Sequence, residues 1–287
     1  MSNASRLSPK PNILVPGLYL VATPIGNLRD ITLRALDILA GVDVVLCEDT
    51  RVGGKLLAAH GIKSRLERYD EHAAERVRPK ALAALAGGAT LALISDAGTP
   101  LISDPGYRLV KEAVAQGIAV FPVPGPSAAL AALTVAGLPT DRFLFAGFPP
   151  SRAAGRRALF AELAPIRGAL VFYESGPRLA ASLADMAAVF GARDAAVARE
   201  LTKLHETVIR GPLPDLATDP RLAAPKGEIV VVVGPGAEPA ASPDEADAAL
   251  AEAVARVGPA RAAAEVARAL GLSRRELYAR ALAMKGE

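Results

Sequence analysis

Carboxylates at strand ends and loops of small residues are the parts of this chain that could do chemistry. Glu48 and Asp49 stand beside Arg51 after an apolar run, Glu174 follows Phe172-Tyr173, and Glu200 follows Ala198-Arg199. A carboxylate so placed could act as a general base or hold a ligand by hydrogen bonds. A helix cap, or an ion pair with the adjacent arginine, accounts for any one of them at least as well. Three stretches lack bulk: residues 23–27 (TPIGN), 95–100 (SDAGTP) and 124–127 (PGPS). The second lies within 93–106 (LISDAGTPLISDPG), where eleven residues connect strand to helix; about two to six usually suffice. Backbone groups in such loops can approach a ligand closely. None of the three fits G-x-x-x-x-G-K-[ST] or G-x-G-x-x-G, so a cradle for a phosphate chain is not indicated. Arg29 is the one basic side chain near them. The pattern points to a ligand recognised by main-chain groups, with a polar nucleoside part.

Other chemistries find no anchor. His60, His72 and His205 are scattered, without metal-ligand spacing, and no G-x-S-x-G elbow occurs. Cys47, the single cysteine, sits among Val44, Val45 and Leu46 with no histidine nearby, as a core residue would.

For the three loops to meet, each must leave a strand and enter a helix on one edge of a parallel sheet. The patterning predicts strands over 17–22, 42–47, 90–94 and 118–123, alternating with helices. Asp30 or Thr32 caps the first helix, and Pro79 kinks or restarts the one across 73–86. Asp104 caps the helix after the long loop, with Pro105 at its first position. A boundary falls at 138–142 (LPTDR). A second αβ series follows: strand 143–145, a polar basic loop over 149–157, helix 158–163, strand 169–173, helix 178–189 and strand 195–199. Residues 206–210 and 228–233 are expected to pair antiparallel. The domains are therefore 17–138 and 139–236, preceded by a loose tail 1–16 and followed by a linker 237–243 (AEPAASP) and a helical module 244–287. Within the module, helix 260–270, the turn Gly271-Leu272-Ser273 and a helix bearing Leu277, Tyr278 and Leu282 outline a helix-turn-helix.

Composition agrees with a soluble α/β protein. Of 287 residues 51% are hydrophobic and the formal net charge is +3, which permits a nucleic-acid partner without demanding one. The longest apolar stretch, 128–138, is far short of a membrane span, and residues 1–16 lack the apolar centre of a signal peptide, so a cytoplasmic protein is expected.

At the loops the chain is similar to a known family. ATPIGNLRDIT, CEDTR, SDAGTPLISDPG, PGPSA, GLPTDRF, FYES and ARELTK, in this order, resemble the ribosomal RNA small subunit methyltransferase I family of the tetrapyrrole methylase superfamily, from Gly17 to about Pro235 and on through the C-terminal helices. The resemblance implies two α/β domains with S-adenosyl-L-methionine in the cleft between them, a small C-terminal helical module, a homodimer, and methylation of a cytidine ribose 2′-oxygen in the decoding region of 16S rRNA. By motif it places Pro24, Asp96, Ala97, Gly98, Thr99, Pro100, Ser127 and Ala128 around the cofactor, with Tyr173, Leu201 and the Lys226-Gly227-Glu228 turn near the adenosine. It names no general base; Glu48, Asp49 and Glu174 are candidates, and Lys203 is one if desolvated. An RNA substrate gives Arg152, Arg156 and Arg157 of the basic loop a role in holding phosphates. Arg274, Arg275 and Arg280 of the last helix would do the same, in a segment with seven basic and three acidic residues from Arg256 onward. A tetrapyrrole methyltransferase, or a non-catalytic RNA- or nucleotide-binding protein on this fold, is the alternative.

Overall fold

A computed structural model describes residues 14–236, 243–270 and 272–285. The chain divides into two compact units, Met1–Gly236 and Ala237–Glu287. Residues 1–13 of the expected tail, 237–242 of the expected linker and Gly271 of the expected turn lie outside the described residues. Leu14 packs against the first core, and the Val15 carbonyl accepts a hydrogen bond from the Tyr19 hydroxyl at 2.7 Å.

The first sheet is wholly parallel. Its strands are β1 (Gly17–Val21), β2 (Val44–Cys47), β3 (Leu66–Arg68), β4 (Thr90–Ile94) and β5 (Val120–Val123), in the order β3-β2-β4-β1-β5. All five residues of β4 are buried, as a central strand covered on both faces requires. Helices α1 (Leu33–Gly41) and α2 (Thr50–Ala59) cover one face; α3 (Glu71–Ala86) and α4 (Tyr107–Ala115) cover the other. Thr32 caps α1 by accepting from the Ala35 amide. β3 is a three-residue edge strand that the patterning did not reveal. The expected restart at Pro79 does not occur: α3 runs through it, because Pro79 lies on the exposed face, where the carbonyl it leaves unbonded can be solvated.

The second sheet is mixed. It contains β6 (Phe143–Gly147), β7 (Ala169–Ser175), β8 (Asp194–Arg199), β9 (Thr207–Pro212) and β10 (Glu228–Val233), ordered β6-β7-β10-β8-β9. The expected pairing of 206–210 with 228–233 is corrected here. β10 inserts between β7 and β8, and β9 pairs with β8 at the edge. Ile229 to Val233 are buried, so β10 needs neighbours on both sides, whereas β9 is half exposed. Helix α5 (Ala128–Val135) lies before the expected boundary at Leu138, yet Ala129, Ala132 and Leu133 pack on this second sheet, against Val171, Ala198 and Val230. Helices α6 (Ala153–Leu163), α7 (Gly176–Phe190) and α8 (Leu213–Thr218) cover the opposite face.

The expected basic loop at 149–157 is also corrected. α6 already begins at Ala153, and Arg156 faces inward, 5% exposed, with its Nε 2.7 Å from Asp185 Oδ2. Arg157 bonds the other oxygen at 2.6 Å but is itself exposed. Burial alone would raise the Asp185 carboxyl, but the two guanidiniums outweigh it and hold the pKa below its ordinary value.

The second unit comprises α9 (Pro243–Val257), α10 (Pro259–Leu270) and α11 (Arg274–Lys285) around Leu250, Ala263, Val266, Leu277 and Ala281. Tyr278 and Leu282, expected with Leu277 on the second helix of the motif, are exposed. No helix among the described residues is long and apolar enough to cross a membrane.

Candidate active site

The three bare loops are bonded to one another. Thr23 and Gly98 exchange backbone hydrogen bonds of 2.8 and 3.0 Å, and the Thr23 hydroxyl donates to the Ser95 carbonyl at 3.1 Å. The Thr99 hydroxyl donates to the Pro126 carbonyl at 3.0 Å, tying the second loop to the third. Gly98 has φ +81°, the left-handed region; a Cβ there would stop 3.5 Å from Ile25, in ordinary contact. Glycine is therefore needed for the backbone turn rather than for space. Ile25 reaches across from the first loop into the core that α5 shares with the second sheet.

Between the two sheets lies a cavity of about 400 Å³, within the usual range of about 300–1,000 Å³ for small-molecule sites. One side is the loop Asp96-Ala97-Gly98-Thr99 with Ile102, Ser103 and Asp104. The other is Tyr173, Glu174, Ala198, Leu201 and the Gly227-Glu228 turn, with Ala128 and Phe148 at the margins. Nine positions that the family resemblance placed at the cofactor are thus together here: Asp96, Ala97, Gly98, Thr99, Ala128, Tyr173, Leu201, Gly227 and Glu228. Pro24, Pro100 and Ser127 are not among the lining residues, and Pro100 is buried behind the loop. The described non-glycine residues with positive φ are Leu101, Ser103, Glu200 and Thr202, all in the two loops bordering this cavity. Strain of this kind collects at ligand sites.

The carboxylates divide sharply by environment. Asp49 is a cap: its Oδ1 accepts from the Arg51 amide at 2.8 Å, and Arg51's side chain and amide hold its pKa at about 2. Glu174 is 2% exposed and saturated; it accepts from the Ser175 amide at 2.9 Å and from the Ser182 hydroxyl, and pairs with Arg178 Nε at 3.2 Å. Both are engaged by donors of the chain itself. Lys203 bonds Glu200 and Glu228, each at 2.9 Å. Desolvation pulls its pKa down, but those two carboxylates push harder, and the ammonium ends above its ordinary value. It stays a cation. Glu48 is half-buried, its pKa raised by burial and then by Asp96, Asp70 and Asp49.

Asp104 was expected to cap α4. Instead the helix starts after Gly106 with no side-chain cap, and Asp104 turns into the cavity. Leu101 and Ser103, just before it in the chain, are left-handed, with φ +74° and +67°. Desolvation, then the charge of Glu48, push its pKa up to about 6, against a hydrogen bond from Ser95. Only its position in an unusually long loop of mostly small residues could have hinted at this. Cys47 is buried as expected, and desolvation with the nearby Asp96 and Asp49 raises its thiol to about 11.

Residues 17–217 match the family described as tetrapyrrole (corrin/porphyrin) methylases, and residues 240–285 match the RsmI C-terminal HTH domain. The chain is 53% identical to ribosomal RNA small subunit methyltransferase I of Mesorhizobium japonicum over 95% of this chain and 93% of that one. It is 44% identical to the enzyme of that name from Escherichia coli O157:H7, over 94% and 96%. In fold it is similar to uroporphyrin-III-C-methyltransferase from Thermus thermophilus (TM-score 0.55, 24% identity, covering 76% of this chain and 94% of that). A cobalt precorrin-4 methyltransferase gives 0.58 at 19% identity, covering 80% and 98%.

Proposed function

This chain belongs to the tetrapyrrole (corrin/porphyrin) methylases and, within them, to the ribosomal RNA small subunit methyltransferase I family, and from that premise we propose that it moves a methyl group from S-adenosylmethionine to the 2′-oxygen of a cytidine ribose in small-subunit rRNA. The observation that carries the reading is the make-up of the cavity. Its near side is main chain and small side chains, which suits a nucleoside held by N–H and C=O groups; its ionisable lining there is acidic, at Asp96 and Asp104, which suits a cationic sulfonium ligand. When bound, S-adenosylmethionine supplies a methyl group already activated for displacement.

The chain's own residues supply position and a proton acceptor. Loop 96–99 and the Gly227-Glu228 turn hold the ligand from opposite sides, while Ile25, Ile229 and Val230 keep that part of the cavity apolar. Holding two reactants in line removes much of the entropic barrier. The ribose hydroxyl must lose its proton as its oxygen attacks, and Asp104, with a pKa of about 6, accepts it. A general base works best with a pKa near the working pH. The role falls to Asp104 in this reading because it lines the cavity, whereas Glu48, Asp49 and Lys203 do not, and Glu174 is engaged by Ser175, Ser182 and Arg178. The RNA would lie along exposed Arg152 and Arg157, with Arg274 and Arg275 of the C-terminal unit as a second contact. Arg280 is partly engaged, 3.1 Å from Asp247 within that unit, and Arg156 takes no part. A homodimer acting in the cytoplasm completes the proposal.

The test is tritiated methyl transfer to small ribosomal subunits, to free 16S rRNA and to uroporphyrinogen. Label in subunit or free rRNA, recovered after nuclease digestion as 2′-O-methylcytidine, is the expected result. Label in uroporphyrinogen, or in none of the three, overturns the reading.

A further inference from the structure

We propose that Phe148 is a stacking platform for an unpaired nucleobase of the RNA substrate, a role that rests on the rRNA-methylating reading above. β6 pairs in step with β7 from Phe143↔Ala169 to Phe145↔Val171, and then Gly147, not Ala146, pairs with Phe172. Ala146 is thus an inserted residue. Because side chains alternate between faces, one insertion moves everything after it to the other face. In unbroken register residue 148 would stand opposite Glu174, on the face covered by α6 and α7. The insertion puts it level with Tyr173, on the cavity face. The ring contacts agree: Phe145 and Phe148 lie edge-on to Tyr173 with centroids 4.8 and 5.5 Å away. Gly147 has φ +65°, and a Cβ there would come within 3.3 Å of Ser103 Oγ on the opposite wall.

The platform is rigid on its far side and open on its near side. Pro149 is buried, and its carbonyl accepts from Arg178, which pairs with the buried Glu174. Phe148 is 55% exposed. A single exposed apolar ring is ordinary on a protein surface. Here it comes with an inserted residue, a left-handed glycine and a pinned following residue, at the margin of a cavity whose opposite side carries Asp104. The exposed Arg152 stands four residues on, at the start of α6. A ring for a base, a cation for its phosphate and a proton acceptor for its ribose match one splayed nucleotide. Every base has a π-face, so stacking contributes affinity without reading sequence, on the order of 1–3 kcal/mol per base.

The sequence contains no tryptophan, so Phe148→Trp introduces a single indole as a reporter. A 5′-labelled, cytidine-containing single-stranded RNA is titrated into this variant with S-adenosylhomocysteine present. Binding is followed by label anisotropy and stacking by indole fluorescence. Quenching that tracks RNA binding, with none on adding S-adenosylhomocysteine alone, is the expected result. Binding without quenching overturns the proposal, and quenching by S-adenosylhomocysteine alone reassigns the ring to the cofactor. Phe148→Ala should lower kcat/KM for small subunits by roughly 5- to 150-fold, with S-adenosylmethionine affinity unchanged by calorimetry and activity rescued in Phe148→Trp. The fluorescence arm reads stacking and not turnover, so it decides the proposal even if the unaltered chain methylates no rRNA.

Discussion

The two sides of the cavity are built on opposite principles. The side from the parallel sheet is mostly main chain: three loops cross-linked by the Thr23–Gly98 and Thr99–Pro126 bonds, with carboxylates whose pKa values are raised by burial and by one another. The side from the mixed sheet is mostly side chain, and its charges are neutralised locally: Glu174 by Arg178, Lys203 by Glu200 and Glu228. Desolvated acids that form no ion pair sit opposite ion-paired ones. A raised carboxylate is reactive near neutral pH, and a paired one is architecture. The same residue type thus does chemistry on one side and holds shape on the other.

The largest effect should come from the reactive side. Asp104→Asn is expected to lower kcat by about 10²–10⁴-fold with S-adenosylmethionine affinity kept, measured by single-turnover methylation and calorimetry. The kcat of the unaltered enzyme should rise with pH through about 6 as Asp104 loses its proton, and the variant should lack that step. Stability supplies an independent check of sign. Because the folded-state pKa is raised, folding costs free energy once the carboxylate is ionised, so this contribution declines between the ordinary value of 3.8 and about 6. Above that window Asp104→Asn should be the more stable protein, by about 1–2 kcal/mol after allowing for solvent screening. A flat pH profile in the unaltered enzyme would remove the contrast between the two sides.

Glu174→Ala should do the reverse. It leaves the half-buried Arg178 without its carboxylate and should cost roughly 3–5 kcal/mol of stability in denaturant titration, with the pH dependence of surviving activity unmoved. A stable variant with a shifted pH profile would make Glu174 a reactive group after all. Gly98→Val comes next: forcing a β-branched residue to φ +81° should cost about 1–3 kcal/mol and weaken S-adenosylmethionine binding by disturbing the Thr23 bridge. Unchanged affinity by calorimetry would show that this loop is not the ligand's support. The smallest effect separates neighbouring arginines. Arg152→Ala should reduce the log–log salt dependence of RNA binding by about 0.7–0.9 without altering the melting temperature. Arg156→Ala should unfold the protein more easily, because Asp185 loses a buried partner. Equal salt slopes in Arg152→Ala and the unaltered enzyme would leave Arg152 as solvated surface.

Much of this could be read in advance. The loops at 23–27, 95–100 and 124–127 were visible as small-residue breaks between apolar strands, and their convergence follows from parallel topology. The inward turn of Arg156 was not visible, since glycine and alanine around it resemble a loop and its partner, Asp185, lies 29 residues away. The place of β10 was equally hidden: an apolar run of valines demands two neighbours but does not say which.

The sequence by itself determined the local demands: where strands end, which turns need glycine, and that three bare loops share one edge. These depend on steric limits and side-chain periodicity within a few residues of chain. Only the tertiary structure decided which carboxylate has chemistry left to it. Asp49 and Asp104 are the same functional group: Arg51, two residues along the chain, holds the first at about 2, whereas the second reaches about 6 through water excluded and the charge of Glu48, brought close only in folding.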